Sequence, residues 1–517
     1  MQRRRKFSLL RASPRSPAVF LATATAFVVH ACALQVVMSS PPAAGGSSPG
    51  PASATTAPSI STIAGAASSV SSGDSAAKGV IDGFAPRKYS APWWATNDHF
   101  STIFGSGEIQ KRFGVKGPEV VYRRERWNTP DGDFLDVDFL DTPGGPAGGG
   151  LGGSGGQGVQ QERRQGAPPP GSGRRLAAVA TGAAPGGVVN GGGGGGEGGT
   201  AAAVPAGDPA LGFESVVGAG GVDASTAPFA ILTHGLESTS TAPLTAKMAL
   251  AYQRKGFRVA VMCFRSCSGE DNLTLRAYHL GFTEDLELVC KTLRASRHPN
   301  SPLFLSGFSL GGNVITKFLG ELGDRARDMG IMGGAVTCVP FDAVSCQQRV
   351  DTGFGKIVYA KNFLNSLIPK MMRKSLTDPR VAEVIDLKRL QRITTIGEFD
   401  DMVIAPVFGF DDYQDYYRKT QSGQFLKDVR VPFLAVQAIN DPFMDPAKLP
   451  TVDDLQGAPV RLSYHEHGGH CAFLTDSQEE NDKGWLATEM ARFGDHVHRL
   501  SRIEPPTADL TKPPPGG

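Results

Sequence analysis

Residues 302–313, Pro302-Leu303-Phe304-Leu305-Ser306-Gly307-Phe308-Ser309-Leu310-Gly311-Gly312-Asn313, read as an apolar strand that ends in Gly-x-Ser-x-Gly and runs straight into a helix. Nothing else in the chain narrows its fold as much. A serine at such a junction occupies a tight, strained turn, and the flanking glycines let backbones approach where side chains would collide. Ser309 therefore stands where a nucleophile would. The pentapeptide alone is a weak signal, because 65 glycines in 517 residues make roughly one chance match expected. Two further matches, centred on Ser48 and Ser154, lie in low-complexity sequence with no strand before them and no helix after. Context selects Ser309.

The surrounding sequence alternates strands and helices. Short runs rich in Val, Leu, Ile and Phe at 229–233, 257–264, 302–308, 333–339, 431–439 and 461–464 read as strands. Helical patterns at 242–255, 281–297 and 311–322 lie between them, the last with Val314, Ile315, Phe318, Leu319 and Leu322 on one face. This alternation predicts an α/β fold: a mostly parallel sheet covered on both faces, with its chemistry at the carboxyl ends of the strands. Ahead of it, 120–127 and 134–140 flank Thr129-Pro130-Asp131-Gly132 as a hairpin. Leu135, Val137 and Phe139 alternate there with Asp136 and Asp138, as in a half-buried strand. Residues 340–428 break the rhythm with helical, polar-aromatic sequence and read as a cap over the sheet edge.

About a third of the chain cannot build a core. Residues 144–226 are rich in Gly, Ala and Pro, with six consecutive glycines from Gly191 to Gly196, and bury too little apolar surface to offset their ordering entropy. They read as a long low-complexity insertion in one surface loop, which closure entropy tolerates. Residues 1–88 read as a targeting segment and linker, 89–503 as one domain, and 504–517 as a disordered tail. The segment 19–38 is nearly free of polar residues, follows a basic start and contains Ala31-Cys32-Ala33, a small-residue cleavage pattern. It fits a cleaved signal, a membrane anchor or the first part of an organelle signal. Membrane association or delivery to an endomembrane or plastid compartment is expected. Trp93-Trp94 is expected to be a packing anchor.

Net charge is +2, but Arg3, Arg4, Arg5, Lys6, Arg11 and Arg15 precede the first acidic residue, Asp74. The remainder is about −4 and has no basic stripe, which argues against nucleic acid as a partner. Seven irregularly spaced cysteines contain no Cys-x-x-Cys pair, so neither a disulfide framework nor a zinc knuckle is indicated. No cofactor, metal or obligate protein partner is expected.

A serine hydroxyl needs a base, and the base needs a third group to hold its tautomer. Asp441 follows the strand at 431–439, and His470 follows the last strand in His465-Glu466-His467-Gly468-Gly469-His470. Serine, then aspartate, then histidine is the chain order of the α/β-hydrolase arrangement. An oxyanion site would take one backbone N–H from Leu310 and a second from Leu236, in Thr233-His234-Gly235-Leu236-Glu237 after the third strand. His234 reads as a brace for that loop. Asp445 and Glu466 are rival acids, Asp445 lying further from the strand end. His465, His467 and His470 could together serve as metal ligands, but no second cluster supplies the partners such a site needs.

These motifs together resemble the AB hydrolase superfamily, and within it the YheT-like branch that includes eukaryotic α/β-hydrolase-domain phospholipases and fungal alcohol acyltransferases. The resemblance spans nearly all of 89–493 outside the glycine-rich insertion. It rests on Asp98-His99-Phe100-Ser101-Thr102-Ile103-Phe104, His234-Gly235-Leu236-Glu237, Phe264-Arg265-Ser266-Cys267-Ser268-Gly269, Arg276-Ala277-Tyr278-His279, the Ser309 motif, Glu398-Phe399-Asp400-Asp401, Asp415-Tyr416-Tyr417, Asn440-Asp441-Pro442-Phe443 and Gly468-Gly469-His470. It implies a triad of Ser309, Asp441 and His470, and hydrolysis of short- to medium-chain or lipid acyl esters through an acyl-serine. Two departures stand out. Ser266 replaces a usual glycine and is expected to shift its turn, and five residues rather than four separate His279 from Asp285, which weakens one acyltransferase pattern. Acyl transfer to an alcohol from the same site remains an alternative, as does a non-catalytic binding module on the same fold.

Overall fold

A computed structural model describes residues 72–106, 117–140 and 226–501. All of them fall in one compact unit, and residues 145–221 lie outside the described residues. So do the apolar stretch 19–38 and the tail 504–517. Among the described residues no helix is long and apolar enough to cross a membrane.

Eight strands form one sheet: β1 (Tyr122–Asn128), β2 (Phe134–Leu140), β3 (Phe229–Thr233), β4 (Arg258–Cys263), β5 (Leu303–Phe308), β6 (Ile331–Thr337), β7 (Phe433–Ala438) and β8 (Val460–His465). Their order is β1-β2-β4-β3-β5-β6-β7-β8, antiparallel at β1–β2 and β2–β4 and parallel throughout the rest. The helices that matter for the site are α1 (Ser72–Asp82), α2 (Asp98–Gly105), α3 (Pro243–Arg254), α4 (Glu284–Thr292), α5 (Leu310–Leu322), α6 (Ala343–Val350), α7 (Lys361–Thr377), α8 (Tyr413–Thr420) and α9 (Trp485–Ser501). With its mostly parallel sheet and helices on both faces, the protein has the α/β-hydrolase fold expected from the alternation.

The two-residue period of the strands divides the core into two layers. Ala230, Leu232, Val259 and Val261 pack with Met248 and Tyr252 of α3 and with Met490 and Phe493 of α9. Their neighbours Ile231, Ala260 and Met262 turn the other way, toward Leu286 and Val289 of α4 and Val314 and Leu319 of α5. Strands buried on both faces read as continuous apolar runs, which is why they were conspicuous.

Three expectations need correction. The fold begins before residue 89: α1 lies at 72–82, and Ala77, Ile81 and Phe84 are buried. Second, β2 is not half-buried. Asp136 and Asp138 are as covered as the apolar residues between them, because β1 sets Arg126 and Arg124 directly opposite. Each arginine grips its carboxylate with two nitrogens at 2.7–2.8 Å, a paired geometry that offsets the loss of water. Third, the tryptophan pair does not act as one anchor. Trp93 is 76% exposed, while Trp94 donates to Asp476 and meets Phe100 edge-on.

Ser266 takes up the left-handed backbone that glycine favours, at φ 62°. Its hydroxyl is held by Asn272 from both sides, donating to the side-chain oxygen at 2.8 Å and accepting from the amide at 2.9 Å. Beside it, the Arg265 side chain is 2% exposed and joins Asp285 of α4 to Asp131 in the β1–β2 turn, each at 2.7 Å. Burial pushes the Asp285 carboxyl up despite that contact. Removing the cation leaves a buried carboxylate unpaired, so Arg265→Ala is expected to cost about 3–5 kcal/mol. Denaturant unfolding checks this, and an unchanged midpoint would contradict it.

Candidate active site

β5 delivers Ser309 into α5 at φ 53° and ψ −127°, outside helical and strand geometry. The turn exists because nothing projects from its neighbours. A Cβ on Gly307 would stand 2.2 Å from Thr233 Oγ1, and one on Gly311 2.4 Å from the His234 carbonyl oxygen. The space saved brings β3 against the turn, and Thr233 donates to the Gly311 carbonyl at 3.0 Å. Asn313, one turn along α5, is fully buried. Its amide donates to the carbonyls of Leu280 and Thr420, and its oxygen accepts from Ser422, so the elbow helix and the cap are tied together.

Asp441 and His470 arrive from the carboxyl ends of β7 and β8. His470 Nε2 lies 3.1 Å from Ser309 Oγ, and its Nδ1 lies 2.8 Å from Asp441 Oδ2. Asp441 is 1% exposed, and its second oxygen accepts from the Phe443 amide at 2.9 Å. The Phe443 ring stacks on the imidazole with centroids 4.1 Å apart. Burial disfavours the charged ring, but the carboxylate outweighs it and raises the His470 pKa above its ordinary 6.5. A base must be unprotonated to accept, so the acid limb of kcat/KM is expected above pH 6.5, with activity rising as pH rises through it. A pH-rate profile whose limb falls at or below 6.5 would contradict this.

The rival groups go elsewhere. Asp445 accepts from the Ala447 amide at the start of a short helical turn, and Glu466 points to solvent beside His467. His465 packs edge-on against Trp485, and its Nε2 meets the Ser463 hydroxyl. Among the described residues the three histidines do not come together as a metal-ligating group. Another trio does meet: the sulfurs of Cys338 and Cys471 and a ring nitrogen of His470 lie within 4.8 Å of one another. Both His470 nitrogens are already engaged, so a cation there would compete with the Asp441–His470–Ser309 relay.

Leu236 and Leu310 line the same cavity as Ser309. A Cβ on Gly235 would stand 3.3 Å from Ser309 Cβ, so the backbone before Leu236 lies against the serine. His234 is fully buried. Its Nδ1–H donates to the Gly235 carbonyl at 2.8 Å and its Nε2 accepts from the Phe264 amide at 3.2 Å, while burial lowers its pKa to about 4. A neutral ring spanning the ends of β3 and β4 is a brace. His279 and Asp285 do not meet. His279 packs against Phe408 and Asp285 pairs with Arg265.

Two supporting residues escaped the sequence reading. Thr102 of α2 accepts the His470 amide at 2.9 Å, and Asn440 accepts the Gly469 amide at 3.0 Å while donating to the Thr96 carbonyl. Together they fasten the histidine loop to residues 96–102. The signal was present as Asp98-His99-Phe100-Ser101-Thr102, a motif with no role attached to it.

The cavity holds about 160 Å³ and runs from Ser309 beneath the cap. Leu310, Val350, Leu367, Met371, Val403 and Phe408 make its wall almost wholly apolar. One ion pair interrupts it, Lys370 to Glu237 at 2.6 Å, with the Tyr278 hydroxyl donating to the same carboxylate at 2.9 Å. Such a site can hold an acyl chain in the apolar bore and present its carbonyl to the serine.

No family model matches the chain. YheT of Escherichia coli (strain K12) is 33% identical over 249 residues, which cover 48% of this chain and 71% of YheT. Phospholipase ABHD3 of Mus musculus is 29% identical over 255 residues, 49% of this chain and 60% of its own length. Monoacylglycerol lipase of Saccharomyces cerevisiae is 29% identical over 273 residues, 52% of this chain and 58% of its own. The chain thus spans about three-fifths of the two eukaryotic relatives. With its fold, strand-end serine and downstream aspartate and histidine, the chain belongs to the YheT-like branch of the AB hydrolase superfamily.

Proposed function

We propose that the protein is a serine hydrolase of carboxylic esters whose substrates carry an acyl chain, such as short-chain esters, monoacylglycerols or phospholipids. One observation carries this reading: Asp441, His470 and Ser309 are linked at 2.8 and 3.1 Å, and Ser309 lines an apolar cavity. Ser309 Oγ attacks the acyl carbonyl as His470 Nε2 takes its proton. Asp441 keeps the other ring nitrogen protonated and stabilises the imidazolium. The N–H groups of Leu310 and Leu236 hold the oxyanion. His470 then protonates the departing alcohol, and water releases the acid from the acyl-serine. Two relatives named for phospholipid and monoacylglycerol hydrolysis support the substrate class. Delivery to a membrane or organelle by residues 19–38 belongs to the same proposal and rests on their composition.

The test uses the full chain and an ester series of rising acyl length, with ethanol and an acyl-CoA added in parallel. Free acid is expected to exceed new ester with every donor. Ester in excess would make the protein an alcohol acyltransferase, and no turnover with any donor would leave a binding module. Cell fractionation checks delivery: recovery of the protein with soluble cytosolic enzymes would exclude it.

A further inference from the structure

Two cysteines meet beside the imidazole. Cys338 follows β6 and is fully buried; Cys471 follows His470 and is partly exposed. The Cys471 amide donates to Cys338 Sγ at 3.1 Å, and both sulfurs lie within 4.8 Å of each other and of the ring. Among the described residues seven non-glycine residues have positive φ, and two of them are this pair, at 51° and 64°. Two strained backbones that present their thiols to each other are unlike the other cysteines. Cys263 and Cys290 sit within a strand and a helix, both buried in ordinary backbone geometry.

We propose that Cys338 and Cys471 are an oxidisable pair, whose disulfide disables the adjacent His470; this rests on the reading of Ser309 and His470 as the active site. The oxidant is a hydroperoxide. Cys471 takes the first step because its sulfur is the partly exposed one, although burial and the Cys338 sulfur push its thiol well above the ordinary value and slow that step. Cys471 sulfur attacks the peroxide oxygen, the O–O bond breaks, and the thiol becomes a sulfenic acid as the peroxide leaves as water or an alcohol. Cys338 sulfur then attacks the Cys471 sulfur. An S–S bond forms, the S–O bond breaks, and the hydroxyl departs as water with the Cys338 proton. Although burial opposes a thiolate at Cys338, its contact with Cys471 and the nearby His470 lower that thiol's pKa, which suits it to the second step.

Reach is not an obstacle. With its nitrogen 3.1 Å from Cys338 Sγ, the Cys471 Cα lies within about 4.6 Å of that sulfur. Closing the bond brings the sulfurs to about 2.05 Å. The displacement falls on the turn that also carries His470, whose hold on Ser309 is a single 3.1 Å contact. A misplacement of about 1 Å at such a contact slows chemistry by about 100-fold.

The experiment treats the full chain with hydrogen peroxide, maps disulfides by peptide mass, and follows labelling by a fluorophosphonate. Oxidation is expected to create a Cys338–Cys471 linkage and slow labelling by about 100-fold, with both effects reversed by dithiothreitol. Cys471→Ser and, independently, Cys338→Ala should label at the normal rate and resist peroxide. No linkage on oxidation, or a linkage that leaves labelling unchanged, overturns the proposal. So does an equal loss of labelling in the variants. If the reduced protein does not label at all, the active-site reading fails, while the peptide map still decides whether the pair forms.

Discussion

Replacing Ser309 with alanine is expected to lower ester turnover by about a millionfold and to abolish fluorophosphonate labelling, while leaving the fold intact. The size of the effect follows from the division of labour. Without Oγ no acyl-serine forms, and the base at 3.1 Å has nothing to activate. Only binding and any oxyanion donation persist. The substitution is sterically mild, because alanine bears the same φ of 53° that serine does. Unchanged thermal unfolding separates lost chemistry from lost structure. Labelling should persist in Ser154→Ala, whose pentapeptide lies outside the described residues, and labelling retained in Ser309→Ala would refute the assignment.

Asp441→Asn is expected to cost about ten-thousandfold in kcat. The asparagine oxygen can still accept from the Phe443 amide, which leaves the NH2 group facing His470 Nδ1. A donor there forces the proton onto Nε2, and that nitrogen can no longer accept from Ser309. The charge that raises the imidazole pKa also disappears, so the residual activity should show an acid limb displaced downward. Both readouts matter. A loss without the limb shift would mean that Asp441 supports the loop but does not set the ring's proton.

The middle of the sheet was legible because β3 and β5 are buried on both faces, which leaves the apolar runs 229–233 and 303–308 with nothing else to be. The glycines at 307 and 311 follow from a turn that admits no Cβ there, but it was the strand before Ser309, the helix after it and the downstream Asp441 and His470 that set this serine apart from Ser48 and Ser154. The α/β-hydrolase order of Ser309, Asp441 and His470 was legible too, since topology sends each strand's carboxyl end to one edge. Asp136 and Asp138 misled, because a strand's own alternation cannot reveal that the next strand covers its polar face with arginines. Residues 72–82 misled through small, polar composition, their helix being held by a few contacts to α9 and β8 that are distant in sequence.

From sequence alone came the fold class and the candidate residues Ser309, Asp441 and His470, since these follow from periodicity, from glycines at a strained turn and from chain order. Tertiary structure alone decided how they are held and what surrounds them. Thr102 and Asn440 grip the histidine loop from segments distant in sequence or from the next strand end, His465 packs against Trp485, and Cys338 meets Cys471. Such pairings join residues that no local pattern connects, and only the packing of distant segments brings their polar atoms within hydrogen-bonding distance.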